Sequence, residues 1–309
     1  MKETPKNPIL FIVGPTGAGK SKLAIRVARR LRGEIISMDS MQIYRGMDIG
    51  TDKPSRWARW RVPHHLFDLV RPDQEFSVYE YRNRFFEAAE KILGKGKTVV
   101  AVGGTGLYVK AVVDGLSPHP GKDEGIRNRL EKIAAEEGLN LLYARLQKAD
   151  PGVAKRLHPN DKKRIIRALE VLELTGKSLA EWERKTIPLE AMGYGYRLFG
   201  IRTGRLALYK AIDRRVDCMF RKGMVKEAFR LRDKLSATAA QAIGYRELWG
   251  YFEGKANLVE VREKIKQHTR NFAKKQLIWF KRDSRIVWLS GTEKEMTDRI
   301  VRMAGLPGK

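Results

Sequence analysis

Residues 14–21 read Gly14-Pro15-Thr16-Gly17-Ala18-Gly19-Lys20-Ser21, and the fold of the chain is decided there. The run fits G-x-x-x-x-G-K-[ST], a spacing in which glycines let successive backbone N–H groups converge on phosphate oxygens. Its surroundings fit as well. Ile9-Leu10-Phe11-Ile12-Val13 is an apolar run of buried-strand length, and Lys20 to about Leu31 reads as a helix. A helix N-terminus after the loop adds the positive end of its dipole. In such a loop Lys20 bridges phosphates and Ser21 ligates Mg²⁺. Residues 14–21 are therefore the expected phosphate grip, with the owner of the phosphates left open.

Working outward, Glu34 to Met38 reads as a second strand and His65 to Val70 as a third. Ser77 to Leu93 is helical, with Phe85, Ala88, Ala89, Ile92 and Leu93 at three- and four-residue spacings, and Thr98 to Val102 is another buried strand. Strands alternating with helices imply parallel pairing and right-handed crossovers. The expected fold is α/β: a doubly wound parallel sheet of the phosphate-loop, nucleotide-kinase-like kind. The pattern breaks at Ser117-Pro118-His119-Pro120-Gly121. From there to about Gly195 the sequence reads almost wholly helical, with a turn at Asp150-Pro151-Gly152. Tyr196 to Ile201 returns as a core strand, and the tail reads as helices near 207–235 and 258–280. The expected division is a core of residues 1–117 and 196–309, interrupted by a helical, basic insertion over 118–195.

Charge bounds the partners. The chain of 309 residues carries 62 Lys+Arg against 36 Asp+Glu, a formal +26. Residues 1–120 hold 20 basic and 12 acidic groups; residues 121–309 hold 42 and 24. So uneven an excess repels itself unless a polyanion uses it, and nucleic acid is the natural one. A solvated, lysine-rich surface is the plainer alternative. Cys218 is the single cysteine, which excludes an internal disulfide and a cysteine-cluster zinc site. No apolar run approaches a membrane span. The opening MKETPKN is polar where a signal peptide would be apolar, so a cytoplasmic protein is expected; a monomer is a separate expectation.

Two more strand ends carry chemistry. Asp39 follows the second strand, in a run from Asp39 to Thr51 that begins Asp39-Ser40-Met41-Gln42. The C-terminal strand ends of a parallel sheet share one crevice, so Asp39 falls on the edge of the phosphate loop, where a base or metal ligand is useful. A helix N-cap is the ordinary alternative. Gly103-Gly104-Thr105-Gly106-Leu107-Tyr108 ends another strand with glycines that allow close backbone approach and a hydroxyl at Thr105, or simply a tight turn.

These three segments, in this order, resemble the bacterial tRNA dimethylallyltransferases, also called tRNA isopentenyltransferases. The resemblance continues through His158-Pro159-Asn160-Asp161, the run Arg164 to Val171, Gln241-Ala242-Ile243-Gly244-Tyr245-Arg246, and the run Thr269 to Gln276, covering essentially the whole chain. Gly17-Ala18 and Ser21 stand where the family often has Ala-Ser and Thr, which keeps small residues and a hydroxyl.

The resemblance implies that the loop, Gly14 through Ser21, grips the diphosphate of dimethylallyl diphosphate with Mg²⁺, and that the prenyl group goes to adenine 37 beside the tRNA anticodon. It makes Asp39 the base toward the adenine amine and Thr105, with Thr16, an orienting hydroxyl. Arg215 is a further candidate for the diphosphate, with a solvated helix arginine as the open alternative. The flipped base enters past Ser40, Met41 and Gln42. The tRNA contacts expected in the insertion and after it are Arg127, Lys163, Arg164, Ile165, Ile166, Arg167, Tyr245, Arg246, Arg270, Lys274 and Lys275. Three rivals stay open: a phosphate-loop small-molecule kinase, with His65-Leu66-Phe67-Asp68 as a weak second metal strand; an enzyme that prenylates free adenine nucleotides; and a non-catalytic RNA-binding protein.

Overall fold

Alternate residues of the strand before the phosphate loop belong to two different cores. Ile9, Phe11 and Val13 pack into one cluster, Leu10 and Ile12 into another. A strand buried on both faces must be central in a parallel sheet, and the computed structural model places it so. The structure describes residues 8–118 and 121–305, apart from the side chain of Arg56; His119 and Pro120 of the expected break lie outside the described residues.

The sheet consists of β1 (Ile9–Val13), β2 (Glu34–Met38), β3 (His64–His65), β4 (Val99–Gly103), β5 (Tyr196–Ile201) and β6 (Ile286–Leu289). Their order is β3-β2-β4-β1-β5-β6, and every pairing is parallel. Helices Val78–Leu93 and Gly106–Val113 cover one face; Lys20–Arg30 and Glu293–Met303 cover the other. The fold is the doubly wound α/β sheet. Its strand ends at Val13, Met38 and Gly103 open on one edge, where a ligand crevice forms.

Behind that edge, helices Arg205–Arg221, Met224–Leu231, Tyr245–Phe252 and Leu258–Lys281 bury Val216, Met224, Tyr245, Leu248 and Ile265 against Ile43, Tyr44 and Met47. Residues Asp114–Pro188 form a second unit with its own core, in which Leu130, Leu142, Leu146, Ile165 and Leu169 meet. Its helices are Glu124–Glu136, Leu139–Ala149, Pro151–Ala154, Lys162–Thr175 and Leu179–Glu183. The Asp150 carboxylate caps the short helix that Pro151 begins, accepting from Val153 N at 3.0 Å.

Three readings of the sequence are corrected. The third strand does not run from 65 to 70: it stops at His65, because Leu66 and Asp68 take φ of 65° and 55°. Only the Tyr44–Val70 bridge resumes pairing. The segment 207–235 is two helices, broken at Gly223 with φ of 97°. The tail is not all helix, since Ile286–Leu289 adds β6 at the sheet edge beside β5.

Candidate active site

Gly17 has φ of 82°, and a Cβ there would stand 2.9 Å from Ile212 Cγ1, so neither the backbone nor the space admits a side chain. The loop hands over to helix Lys20–Arg30, whose N-terminus has no side-chain cap and no acidic residue in its first turn. Its amides are thus left for an anion. Lys20 Nζ donates to Pro15 O at 2.7 Å. Burial, then the neighbouring Arg215, push its ammonium down to about 7, against the upward pull of Asp39. Two cations this close, one at the loop's end and one on helix Arg205–Arg221, are what a bound polyanion would relieve.

Gln276, from the long helix near the C-terminus, joins this loop to the end of β4. Its Oε1 accepts from Thr16 N and its Nε2 donates to Gly104 O, each at 2.8 Å. A Cβ at Gly104 would stand 2.3 Å from Gln276 Nε2, so a side chain there would displace this contact. Arg215 donates to the Thr16 hydroxyl and, at 3.4 Å, to Thr51 O, and its Nε lies 3.3 Å from Asp52 Oδ2.

At the end of β2, Asp39 Oδ1 accepts from Met41 N at 2.9 Å, leaving Oδ2 without a hydrogen bond among the described residues. Thr105 Oγ1 accepts from Ser40 N at 3.1 Å. The Gln42 amide is fixed at both ends: Ser37 Oγ donates to its Oε1 at 3.1 Å, and its Nε2 donates to Thr51 O at 3.0 Å. The 48–50 turn is held by Glu227, 2% exposed, which accepts from Asp48 N, Ile49 N, Gly50 N and the Tyr245 hydroxyl.

Thr16, Gln276, Arg215, Asp39, Gln42 and Thr105 line one cavity of about 570 Å³. Thr16, Lys20, Ser21 and Arg215 occupy its phosphate-loop end; Asp39, Ser40, Gln42 and Thr105 hold the strand-end wall. Val102, Val216, Met219, Met224, Ile243 and Phe272 supply an apolar lining. Glu247, which contacts the lining residues Arg246 and His268, is buried, which acts to raise its carboxyl; hydrogen bonds from those two outweigh that and hold it below the usual range. A charged grip, a free carboxylate oxygen and an apolar wall in one space suit transfer of an apolar group from a phosphate ester to a neutral nucleophile.

Comparison with known proteins reaches the same place. Residues 42–283 match the family described as IPP transferase, and residues 7–58 match that described as isopentenyl transferase. The chain belongs to the IPP transferase family. It is 45% identical over 295 residues to the tRNA dimethylallyltransferase of Geobacter metallireducens, covering 94% of each chain. The full-length tRNA isopentenylpyrophosphate transferase of Bacillus halodurans superposes with a TM-score of 0.71 at 37% identity, covering 97% of this chain and 96% of that one. A eukaryotic dimethylallyltransferase caught acting on tRNA gives 0.82 at 27%, covering 97% and 80%.

For this IPP transferase the structure brings Thr16, Lys20, Ser21, Asp39, Ser40, Met41, Gln42, Thr105, Arg215, Arg246 and Lys275 to the cavity lining, with Gly14, Pro15, Gly17, Ala18 and Gly19 shaping the loop. The other expected contacts divide into side chains that are buried or engaged within the protein and side chains that stand exposed. Ile165 and Ile166, 0% and 3% exposed, lie in the core of the second unit and offer no side chain to an RNA. Tyr245 is fully buried on Glu227. Arg127 and Arg167 both clamp the buried Glu170, at 2.7 and 2.8 Å, so they neutralise an interior carboxylate rather than stand free. Arg270 pairs with Asp213 at 2.6 Å, and Lys274 is exposed on the same helix away from the cavity lining. Lys163 and Arg164 are exposed, the latter paired with Asp161. Asp68 is engaged by Lys53 and Arg59, which removes the weak second metal strand of the kinase alternative. Gln276, Glu227 and His268 were not singled out; only Gln276 lies in a run that the resemblance covers.

Proposed function

We propose that the cavity transfers the dimethylallyl group of dimethylallyl diphosphate to the exocyclic amine of adenine 37 in tRNA; the relatives are named for dimethylallyl transfer to tRNA. The observation that carries this reading is the joining, in one cavity, of the phosphate loop, the apolar lining and Asp39 with its uncommitted Oδ2. The bond between the prenyl C1 and the diphosphate oxygen breaks, and its electron pair leaves with diphosphate. The adenine N6 lone pair forms the new C–N bond, and the N6 proton passes to Asp39 Oδ2. Lys20, Arg215 and the amides of the loop receive the departing charge, stabilisation that grows as the bond breaks. Val216, Met219 and Phe272 exclude water from the developing carbocation, which would otherwise be hydrolysed.

Mg²⁺ takes oxygen ligands and keeps several waters. The Ser21 hydroxyl in the cavity lining fits that donor chemistry and would hold the ion together with oxygens of the diphosphate. When bound, the ion neutralises charge on the leaving diphosphate.

The base reaches the cavity by flipping out of the anticodon loop, where unstacking costs little. Ser40, Met41 and Gln42 form the wall it meets, and Lys163, Arg164, Arg246, Lys274 and Lys275 contact RNA phosphates. Two features support a macromolecular acceptor over a free nucleotide: the +26 charge and the exposed cations of helix Lys162–Thr175. The test is to incubate the protein with Mg²⁺, unmodified tRNA and either dimethylallyl diphosphate or ATP, and then to identify the nucleosides by mass spectrometry. Isopentenyladenosine only with the prenyl donor supports the reading; ATP turnover with unmodified tRNA overturns it.

A further inference from the structure

The helix Arg56–Arg61 reads Arg-Trp-Ala-Arg-Trp-Arg and leaves two indoles in solvent, Trp57 60% exposed and Trp60 81%. Standing three residues apart, they share one face. Arg61 lies over the Trp57 ring, 3.7 Å from its centroid. The other face is anchored. Arg59 Nη1 donates to Asp68 Oδ2 at 2.9 Å, its guanidinium stands 5.7 Å from the Phe67 ring, and Val62 is buried. The helix start is fixed too, since the Ser55 hydroxyl accepts from Ala58 N. The segment is thus held in place while displaying its largest apolar side chains to water, the opposite of what folding alone selects.

We infer that this face is a stacking platform for unpaired bases of the substrate RNA. Two observations choose that occupant. First, residues 54–65 hold three arginines and no acidic residue, a charge complementary to a nucleic acid strand. Second, the platform is continuous with the cavity: Asp52 and Pro54 before the helix, and His64 and Phe67 after it, all line that space. A strand that delivers one base to Asp39 therefore has neighbouring bases at hand for Trp57 and Trp60. Indole faces accept any base, and Arg61 beside Trp57 supplies a cation for a phosphate, the pairing that single-strand binders use. A lipid surface also attracts Trp and Arg. However, a helix of six residues spans only about 9 Å and offers two anchors, short of the extended apolar face by which interfacial helices bind. The inference rests on the reading of the cavity as a tRNA prenylation site.

The experiment compares the full chain with three double variants: Trp57→Ala/Trp60→Ala, Trp57→Leu/Trp60→Leu and Trp57→Phe/Trp60→Phe. Each is assayed for prenyl transfer to an unmodified anticodon stem-loop RNA. Affinity is read separately from fluorescence anisotropy of the labelled RNA. The Ala and Leu pairs are expected to raise Kd and KM for the RNA by at least about fivefold, the lower bound for losing one stacked base, while kcat and the KM for dimethylallyl diphosphate stay as in the parent. The Phe pair restores most of the loss. An Ala pair whose RNA affinity stays within about twofold of the parent overturns the platform, as does a Leu pair that binds like the Phe pair. So does unchanged RNA affinity with lost binding to phosphatidylserine vesicles, which would assign the face to membranes. A parent protein that binds the RNA without modifying it counts against the prenylation reading, and the affinity ratios still decide the platform.

Discussion

Gln276 is hydrogen-bonded to Thr16, a residue 260 positions earlier, and through its other amide atom to Gly104. One side chain thereby fixes the spacing between the phosphate loop and the strand end that bears Thr105. Both partners are backbone groups, and Gln276 is only 7% exposed, so the pairing cannot be replaced by water without opening the wall.

Replacing Gln276 with Leu keeps the volume and removes both hydrogen bonds. Each orphaned backbone group costs about 1–3 kcal/mol, so thermal denaturation is expected to show a loss in that range or somewhat above. The KM for dimethylallyl diphosphate is expected to rise, with RNA affinity unchanged. Equal stability together with an unaltered donor KM would remove Gln276 from the loop's support.

Lys20 makes the cavity respond to pH. Its folded value, about 7, lies below the 10.5 of the free side chain. Between these values the unfolded chain binds a proton that the folded protein lacks, so stability rises with pH across that window and the full penalty is present below it. A diphosphate restores the charged form, so binding near pH 8 takes up a proton. Calorimetric titration in buffers of different ionisation enthalpy should give about one proton more for the parent than for Lys20→Arg, whose side chain is always charged. The same proton count in both would contradict the assignment.

The second unit separates interior cations from surface ones. Arg127 and Arg167 neutralise Glu170, which is fully buried. Burial acts to raise its carboxyl, but the two guanidinium groups and Asp123 N hold it low. Arg167→Ala is expected to destabilise that unit by about 3 kcal/mol, the order found when one partner of a buried pair is removed. Lys163→Glu with Arg164→Glu should leave the melting temperature unchanged while weakening tRNA binding and flattening its dependence on salt. An Arg167→Ala protein with normal stability and impaired RNA binding would reverse these roles.

Much of this architecture is legible in the sequence where local pattern decides it. Ile9–Val13 and the loop after it announce themselves because a strand buried on both faces reads as an unbroken apolar run and a phosphate loop must be glycine-rich; Glu34–Met38 shows less plainly, through Ile35, Ile36 and Met38. The strand read at 65–70 failed for a non-local reason. Lys53 and Arg59 pull on the Asp68 carboxylate of a turn whose Leu66 and Asp68 take left-handed backbone. Ile286–Leu289 is four residues long, too short for a period to show, and gains its strand form only beside β5. Ile165 and Ile166 were a different case: their helical spacing with Leu169 marked a core face, and the basic residues around them drew the reading toward RNA. Gln276 and Glu227 had no local signal at all. Both partners of Gln276 and the backbone partners of Glu227 come from segments more than 170 residues away, and an isolated Gln or Glu on a helix looks like surface.

The account turns on Asp39, which is tied to Met41 N by one oxygen and uncommitted at the other. The direct measurement is the single-turnover rate of prenyl transfer to saturating tRNA by Asp39→Asn, with tRNA affinity measured on the same protein. Asparagine keeps the acceptor for Met41 N and cannot take the adenine proton. The account predicts a rate lower by roughly two to four orders of magnitude with tRNA binding nearly intact. An Asp39→Asn protein that transfers the prenyl group at the parent rate would contradict it.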